Sequence, residues 1–450
     1  MKKNTDNTLN DNVSKVELIA FKIVKKLQDA GYYKSYFVGG YVRDKLLSIK
    51  FDDTIDIDIA TEAKSKSIKK VFKGERFIDI GEAFNIIMLI IDGYKFEIAT
   101  FREDIFETDK TKWDGRHPSN VALATAEEDA KRRDFTVNAI FFDPVKKEHI
   151  DFVNGIDDLK KKIIRTIGEP EKRFREDYLR MLRGIRFAVQ KDFKIDSEVL
   201  NVIKKRAKNI ALISKERILI ELKKIILSDS PARGLKLLRD TNLLKYMFFY
   251  DMVSENSLDY LDYYEDNRND NCNDNFNDMI LYQSISQKNL IIRYAIFFRF
   301  YQQLLDDTLT IKNELIKCKF DNKTITSIIW ILENRKLLSN WNKLSNYEKM
   351  ELIIQPNFKN LLIIFEIEAK KDKDKIVLIK DINSYYNNAK SDKKRWNQMK
   401  KFTIINGEDL LAMNIRGKKI GFLLKDVKQK YIIGELENRE KMIKYIKSVI

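Results

Sequence analysis

The sequence predicts an α+β protein: a strand-rich head followed by an all-α remainder. Three observations carry this. Between about residues 35 and 153 short apolar or alternating segments recur, namely SYFVGG, TIDIDIAT, RFIDIG, FNIIMLII, YKFEIATF and HIDFVNG. From about residue 155 onward the spacing is helical and stays so, with amphipathic runs such as Lys215–Leu227. Breakers are few, 15 Gly and 5 Pro in 450 residues, which suits long helices.

In chain order, residues 15–30 read as a lead-in helix, followed by the strand-rich stretch. Residues 1–153 form the expected head and residues 154–250 a helical neck. Residues 251–400 form a helical body and residues 401–450 a helical tail. The stretch from Ser254 to Asp278 is rich in Asn and Asp and low in complexity, and reads as a surface insertion or disordered loop in the body.

Bulk composition narrows the functional classes. No apolar run reaches the ~20 residues a membrane span needs, and the polar MKKNTDNTLNDN start lacks the apolar stretch of a signal peptide. Cys272 and Cys318 form neither a metal nor a disulfide pattern, so a reducing cytoplasm is expected. His117 and His149 are the sole histidines, which excludes most His-based metal sites and any His-Asp phosphohydrolase domain. The net charge of +16 points to a polyanionic partner. Part of that excess tracks a composition rich in Lys, Asn and Ile. The sharper signal is Arg165, Arg173, Arg175, Arg180, Arg183 and Arg186 falling close together.

The most informative segment is FVGGYVRDKLLSIKFDDTIDIDIAT, Phe37 to Thr61. The alternation Ile55-Asp56-Ile57-Asp58-Ile59 puts both carboxylates on one face of a strand and the isoleucines on the other. Two adjacent carboxylates repel one another unless a divalent cation lies between them, and Mg2+ takes one or two carboxylates plus substrate phosphates. Gly39-Gly40 permits close backbone approach to a ligand, and Arg43 follows three residues later. The alternative for the aspartates alone is an edge strand with solvated carboxylates.

RRDFTVNAIFFD, Arg132 to Asp143, sets two arginines beside Asp134 ahead of an apolar run. It reads as a phosphate-binding element or as a charged helix start. In RFREDYLRMLRGIRFAVQ, Arg173 to Gln190, a helix drawn from Asp177 puts Arg180, Arg183 and Arg186 on one arc. Tyr178, Met181, Leu182, Ile185 and Val189 fall on another, while Leu179 and Phe187 interrupt the arginine arc. Such a stripe is ordinarily a solvated surface. With Asp177 one turn before Arg180, however, a carboxylate acceptor and a guanidinium donor stand together, the equipment for reading a Watson–Crick edge.

GGYVRD, DIDIAT, RRDFTVNAI and REDYLRMLRGIRF resemble, in order and spacing, the motifs of class II tRNA nucleotidyltransferases and bacterial poly(A) polymerases. These belong to the polymerase-β-like nucleotidyltransferase superfamily. The resemblance spans about residues 35–250 and continues through ISKERILIELKKIILSDSPARGLKLL. It implies a head with a mixed β-sheet, and a nucleotidyltransferase that adds C, C and A to the tRNA 3′ end without a nucleic-acid template. CTP and ATP would be the substrates, and the acceptor arm of tRNA the partner. By the same resemblance, Gly40 and Arg43 contact the nucleotide, Asp56 and Asp58 bind two Mg2+ ions, and Arg133 sits at the nucleotide. Asp177 and Arg180 select C or A, with Arg183 and Arg186 beside them, and Glu97 takes the place of a third acidic catalytic residue. TKWDGRHPSN, Thr111 to Asn120, resembles the loop that family members move when switching from C to A addition. Ile405 to Glu440 resembles the tail of tRNA-maturing members, whereas residues 251–400 match only vaguely. A poly(A) polymerase, an enzyme adding only CC or only A, and a catalytically silent RNA-binding protein are the alternatives. Oligomeric state is not implied.

Overall fold

The structure is a computed structural model, and it describes residues 14–49, 55–81, 85–105, 120–248, 289–305, 307–369, 372–400, 402 and 404–450. The chain divides into two compact units, Met1–Asp262 and Tyr263–Ile450. The expected head and neck lie in the first. The expected Asn/Asp-rich insertion at 254–278, and all but the last residue of the expected switching loop, lie outside the described residues.

The first unit opens with α1 (Lys15–Asp29), capped by the Ser14 side chain accepting from the Glu17 N–H at 3.2 Å. Val16, Ile19, Ala20, Ile23, Val24 and Leu27 recur at helical spacing, and these are the positions it buries. Then come β1 (Ser35–Val38), α2 (Gly40–Leu46), β2 (Asp58–Thr61), α3 (Ser65–Val71), β3 (Arg76–Gly81), β4 (Ile86–Ile91), β5 (Tyr94–Thr100), β6 (Arg102–Ile105) and β7 (Asn120–Leu123). After α4 (Ala126–Arg132), β8 (Phe141–Asp143) and β9 (Glu148–Ile150) complete the main sheet. Its order is β3-β4-β5-β2-β1-β8-β9, and it is mixed: β2 runs parallel to β5 while the other pairs are antiparallel. Strands β6 and β7 form a separate ribbon.

The sheet has two apolar faces. Ile57 and Ile59 of the DIDIAT segment pack with α1 and with Phe37, Leu89, Phe96 and Ile98. Ala60 packs on the opposite side with Val38, Phe101, Phe141 and with Ala126 and Ala130 of α4. Helices α5 (Gly155–Lys161), α6 (Pro170–Glu176), α7 (Leu179–Gln190), α8 (Ser197–Arg206), α9 (Lys215–Ile226), α10 (Pro231–Asp240) and α11 (Leu243–Met247) follow. Helical from about 155 is therefore nearly right. The departure is a short parallel bridge between β10 (Ile163–Ile164) and β11 (Lys194–Ile195).

The second unit is helical throughout its described residues, from Leu290–Leu305 to Arg439–Val449. Within it Glu368 joins two helices by accepting from Arg299 at 2.5 Å and from Arg335 at 3.1 Å. Among the described residues no helix is long and apolar enough to cross a membrane.

Candidate active site

Strand β2 begins at Asp58, so Asp56 lies just before the strand and not within it, which corrects the expected strand span. The alternation still holds: Ile57 and Ile59 are buried, while Asp56 and Asp58 are exposed. The parallel register of Ile59 with Ile98 on β5 brings Glu97 beside Asp58. Three carboxylates thus share one side of the sheet. Burial, then Glu97 and Asp56, raise the Asp58 pKa to about 6, with the Arg133 guanidinium opposing them. The backbone makes room for this arrangement at Gly39. Its φ is +75°, and a Cβ there would lie 3.4 Å from the Asp58 Oδ2.

A cleft of about 450 Å³ opens next to Asp58. Gly39, Gly40, Arg43, Asp58, Arg133, Asp177, Arg180, Arg183 and Arg186 all line it, and all but Gly39 are among the expected site residues. Asp56 and Glu97 are not part of that lining. The cleft further contains Asp104, Arg132, Asp134, Asn138 and Phe187.

The wall facing the strand is built from the turn after α4 and from α7. A capping box of Thr125 and Glu128 starts α4, whose last turn delivers Arg132 and then Arg133. Asp129, buried within α4, accepts from both, at 2.7 Å from Arg132 and 3.0 Å from Arg133. Asp134 accepts from Arg183 at 2.6 Å and from the Asn138 amide at 3.2 Å. Burial works against its charge, but Arg183 outweighs that and holds the Asp134 pKa near about 2. Asn138 in turn accepts from Arg43 at 2.6 Å.

The RFREDYLRMLRGIRF segment is not one helix. Helix α6 ends at Glu176, Asp177 has extended backbone with φ −156°, and α7 begins at Leu179. The cause is local: the Asp177 carboxylate accepts from the Leu179 N–H at 3.0 Å, a bond that starts the new helix. The single-helix wheel drawn from Asp177 is accordingly corrected. So is the pairing of Asp177 with Arg180 across one turn. Asp177 accepts from Arg217 of α9 at 2.7 Å, whereas Arg180 donates to Glu176 at 2.6 Å and to the Arg173 carbonyl at 2.9 Å. Nor is the arginine stripe a solvated surface, since Arg180 and Arg186 are only 9 and 6% exposed and Arg183 is half-buried. Arg186 lies 2.9 Å from Glu221 of α9.

Several residues that build the site were not singled out from the sequence. Glu176, Arg217 and Glu221 set the orientation of Arg180, Asp177 and Arg186. A signal existed for Glu221: it occupies the apolar stripe of Ile218, Leu222 and Ile225, where a carboxylate is costly without a cationic partner. Asp104 and Asn138 carried no comparable sequence signal.

Among the described residues no group of three or more His, Cys, Asp or Glu is arranged to hold a metal ion. The donor set at Asp56 and Asp58 nevertheless fits Mg2+. It offers hard oxygen ligands, and Asp58 sits among like charges that a cation would relieve. The family implies a divalent metal requirement.

The poly A polymerase head domain matches residues 35–165, and the probable RNA- and SrmB-binding site of polymerase A matches residues 192–250. A CCA-adding enzyme of Ligilactobacillus salivarius is 41% identical over 238 residues, which is 52% of this chain and 56% of that one. One from Pediococcus pentosaceus is 41% identical over 227 residues, covering 50% and 54%. The chain thus spans about half the length of the curated relatives it matches. In three dimensions it resembles the Bacillus stearothermophilus CCA-adding enzyme in complex with CTP, at TM-score 0.70 and 24% identity, over 97% of this chain and 99% of that one. The Thermotoga maritima CCA-adding enzyme complexed with tRNA gives TM-score 0.60 and 22% identity, over 98% and 97%. At those identities the likeness establishes the fold, a polymerase-β-like head with a helical remainder. Over residues 35–165 and 192–250 this chain is similar to the poly A polymerase head domain and to the RNA-binding site of polymerase A, and over 238 residues to a CCA-adding enzyme.

Proposed function

We propose that this chain is a CCA-adding tRNA nucleotidyltransferase, adding C, C and A to the tRNA 3′ end from CTP and ATP without a nucleic-acid template and releasing pyrophosphate. The observation that carries the proposal is the composition of one cleft. Asp177 and Arg180 line it together with Asp58 and with Arg43, Arg183 and Arg186. A base reader, a phosphate-binding wall and an acidic centre thereby share a space suited to a single nucleotide.

C and A both present an amino donor beside a ring-nitrogen acceptor on the Watson–Crick edge. The Asp177 carboxylate accepts the amino proton and the Arg180 guanidinium donates to the ring nitrogen. U and G offer a carbonyl and a protonated nitrogen and meet the wrong partner at both positions. Arg217 and Glu176 hold the two readers apart and in place, so that neither neutralises the other. Gly40, Arg43, Arg133, Arg183 and Arg186 take the sugar and triphosphate end, where guanidinium forks suit phosphate oxygens.

Asp56 and Asp58 would hold two Mg2+ ions, which supply charge neutralisation at the attacking and leaving oxygens of the phosphoryl group. Glu97 adds a third carboxylate beside Asp58. The bond formed joins the tRNA 3′ oxygen to the α-phosphorus, and the bond broken releases pyrophosphate. The arginine wall stabilises the charge that develops on that leaving group.

Recognition of the tRNA acceptor arm falls to the helical neck, body and tail of the expected division at 153, 250 and 400. It would act through phosphates and A-form shape rather than base sequence. Such a role in tRNA maturation belongs to the cytoplasm. The test is to incubate the purified chain with tRNA lacking CCA, supplying CTP and ATP separately and then together. Extension by C, C and A supports the proposal. A long A tail, or arrest after CC, would convert it to the poly(A) or partial-enzyme reading. No addition with intact RNA binding would leave an RNA-binding protein.

A further inference from the structure

Phe187 breaks the arginine arc of α7, and the structure gives a reason for its presence. The ring lines the cleft and is 7% exposed, standing edge-on to Phe135 with centroids 5.8 Å apart. Three guanidinium carbons lie over it: Arg186 at 4.1 Å from the centroid, and Arg43 and Arg183 at 5.4 Å each. These are three of the arginines assigned above to the triphosphate end.

The polar partners of the three overlap only in part: Arg183 and Arg186 lie 3.8 and 2.9 Å from Glu221, while Arg43 and Arg183 are linked through Asn138 and Asp134. Arg43 donates to Asp44 and Asn138, Arg183 to Asp134, and Arg186 to Glu221. What all three have in common is the ring. The Arg186 Nε is buried and finds no hydrogen-bond acceptor among the described residues, and the guanidinium carbon beside it lies over the aromatic face. An aromatic face carries negative charge density and attracts a guanidinium without a full countercharge. A fourth carboxylate there would repel the phosphates the wall is meant to receive.

We infer that Phe187 is a positioning residue. Its ring gathers Arg43, Arg183 and Arg186 into one cationic wall and leaves that wall free to bind a triphosphate. This rests on the nucleotide reading proposed above. An aliphatic side chain of similar volume fills the same space but lacks the charged face, which separates this role from packing alone.

The test compares Phe187→Leu and Phe187→Met with Phe187→Tyr, using titration calorimetry with inorganic tripolyphosphate and with CTP, and competition of CTP against UTP in addition assays. The two aliphatic variants should weaken both tripolyphosphate and CTP by roughly tenfold and raise the KM for CTP, while Phe187→Tyr stays within about threefold of wild type. Preference for CTP over UTP should be unchanged in all three, because Asp177 and Arg180 do not touch the ring. Wild-type tripolyphosphate binding by either aliphatic variant, or failure of both to fold, would overturn the inference and make Phe187 a packing residue. Failure of the unmodified chain to bind either CTP or tripolyphosphate would overturn the nucleotide-site reading itself.

Discussion

On the strand side of the cleft, Asp58 stands beside Glu97 and Asp56, and its pKa is raised to about 6. On the helix side, Asp134 is paired with Arg183 and held near about 2. The same side chain is thus left short of positive charge on one wall and firmly compensated on the other. A wall rich in uncompensated carboxylate attracts a cation. A wall whose carboxylates are already committed to arginines keeps its guanidinium groups oriented for an anion. Under the function proposed above, the contrast divides the labour of nucleotidyl transfer between two surfaces of one cleft.

The largest expected effect breaks the acidic wall. Asp58→Asn or Asp56→Asn should reduce nucleotide addition by about a thousandfold or more, the loss of several kcal/mol of charge stabilisation, while leaving tRNA affinity nearly unchanged in a filter-binding assay. Activity within about tenfold of wild type would remove these residues from the chemistry.

A smaller effect sharpens the helical wall. Asp177→Ala should let UTP and GTP compete with CTP, at a discrimination cost of about 1–3 kcal/mol in a mixed-nucleotide assay. Glu176→Gln should act in the same direction through Arg180, whose charged acceptor it removes. Wild-type preference retained in a slow Asp177→Ala variant would make that residue structural.

Asp134 gives a pH-dependent prediction. Its folded pKa lies below the unfolded value near 3.8, so its stabilisation is fully present above that value and is lost as the pH falls toward about 2. A depression of that size is about 2 kcal/mol. Denaturant titrations between about pH 4 and pH 2 should therefore show a steeper stability loss for wild type than for Asp134→Asn. Parallel curves would mean that Arg183 does not hold the carboxylate as the geometry indicates.

The smallest effect per residue concerns RNA. Each phosphate neutralised should add a log–log salt slope of up to about −0.9 to tRNA binding. A flat dependence would mean that the +16 charge serves solubility or composition rather than RNA.

How far the sequence revealed these walls depended on how local the determining contacts were. The DIDIAT alternation, Gly39-Gly40 and the lead-in helix were legible because sequence neighbours fix them. The arginines of α7 were legible as a cluster, but the pairing of Arg183 and the burial of Arg186 were not, since Asp134 and Glu221, which hold them, come from distant segments. Asp177 reads as part of a continuous helix because nothing in the residue pattern announces that its own side chain accepts from the Leu179 N–H at the start of α7. Asp104 and Asn138 reach the cleft only through the tertiary fold. The strand β8 within FFD was likewise hidden, because three residues of an apolar run carry no period.

The most direct test of the two-wall account is CTP affinity in the absence of divalent cations, measured by calorimetry for wild type and for the Asp56→Asn, Asp58→Asn double variant. If the acidic wall serves a cation and the arginine wall holds the nucleotide, removing two negative charges should leave CTP binding unchanged or tighten it, while nucleotide addition on restoring Mg2+ stays abolished. A loss of CTP affinity of about tenfold or more in the double variant without divalent cations would contradict the account, because the carboxylates would then be holding the nucleotide themselves.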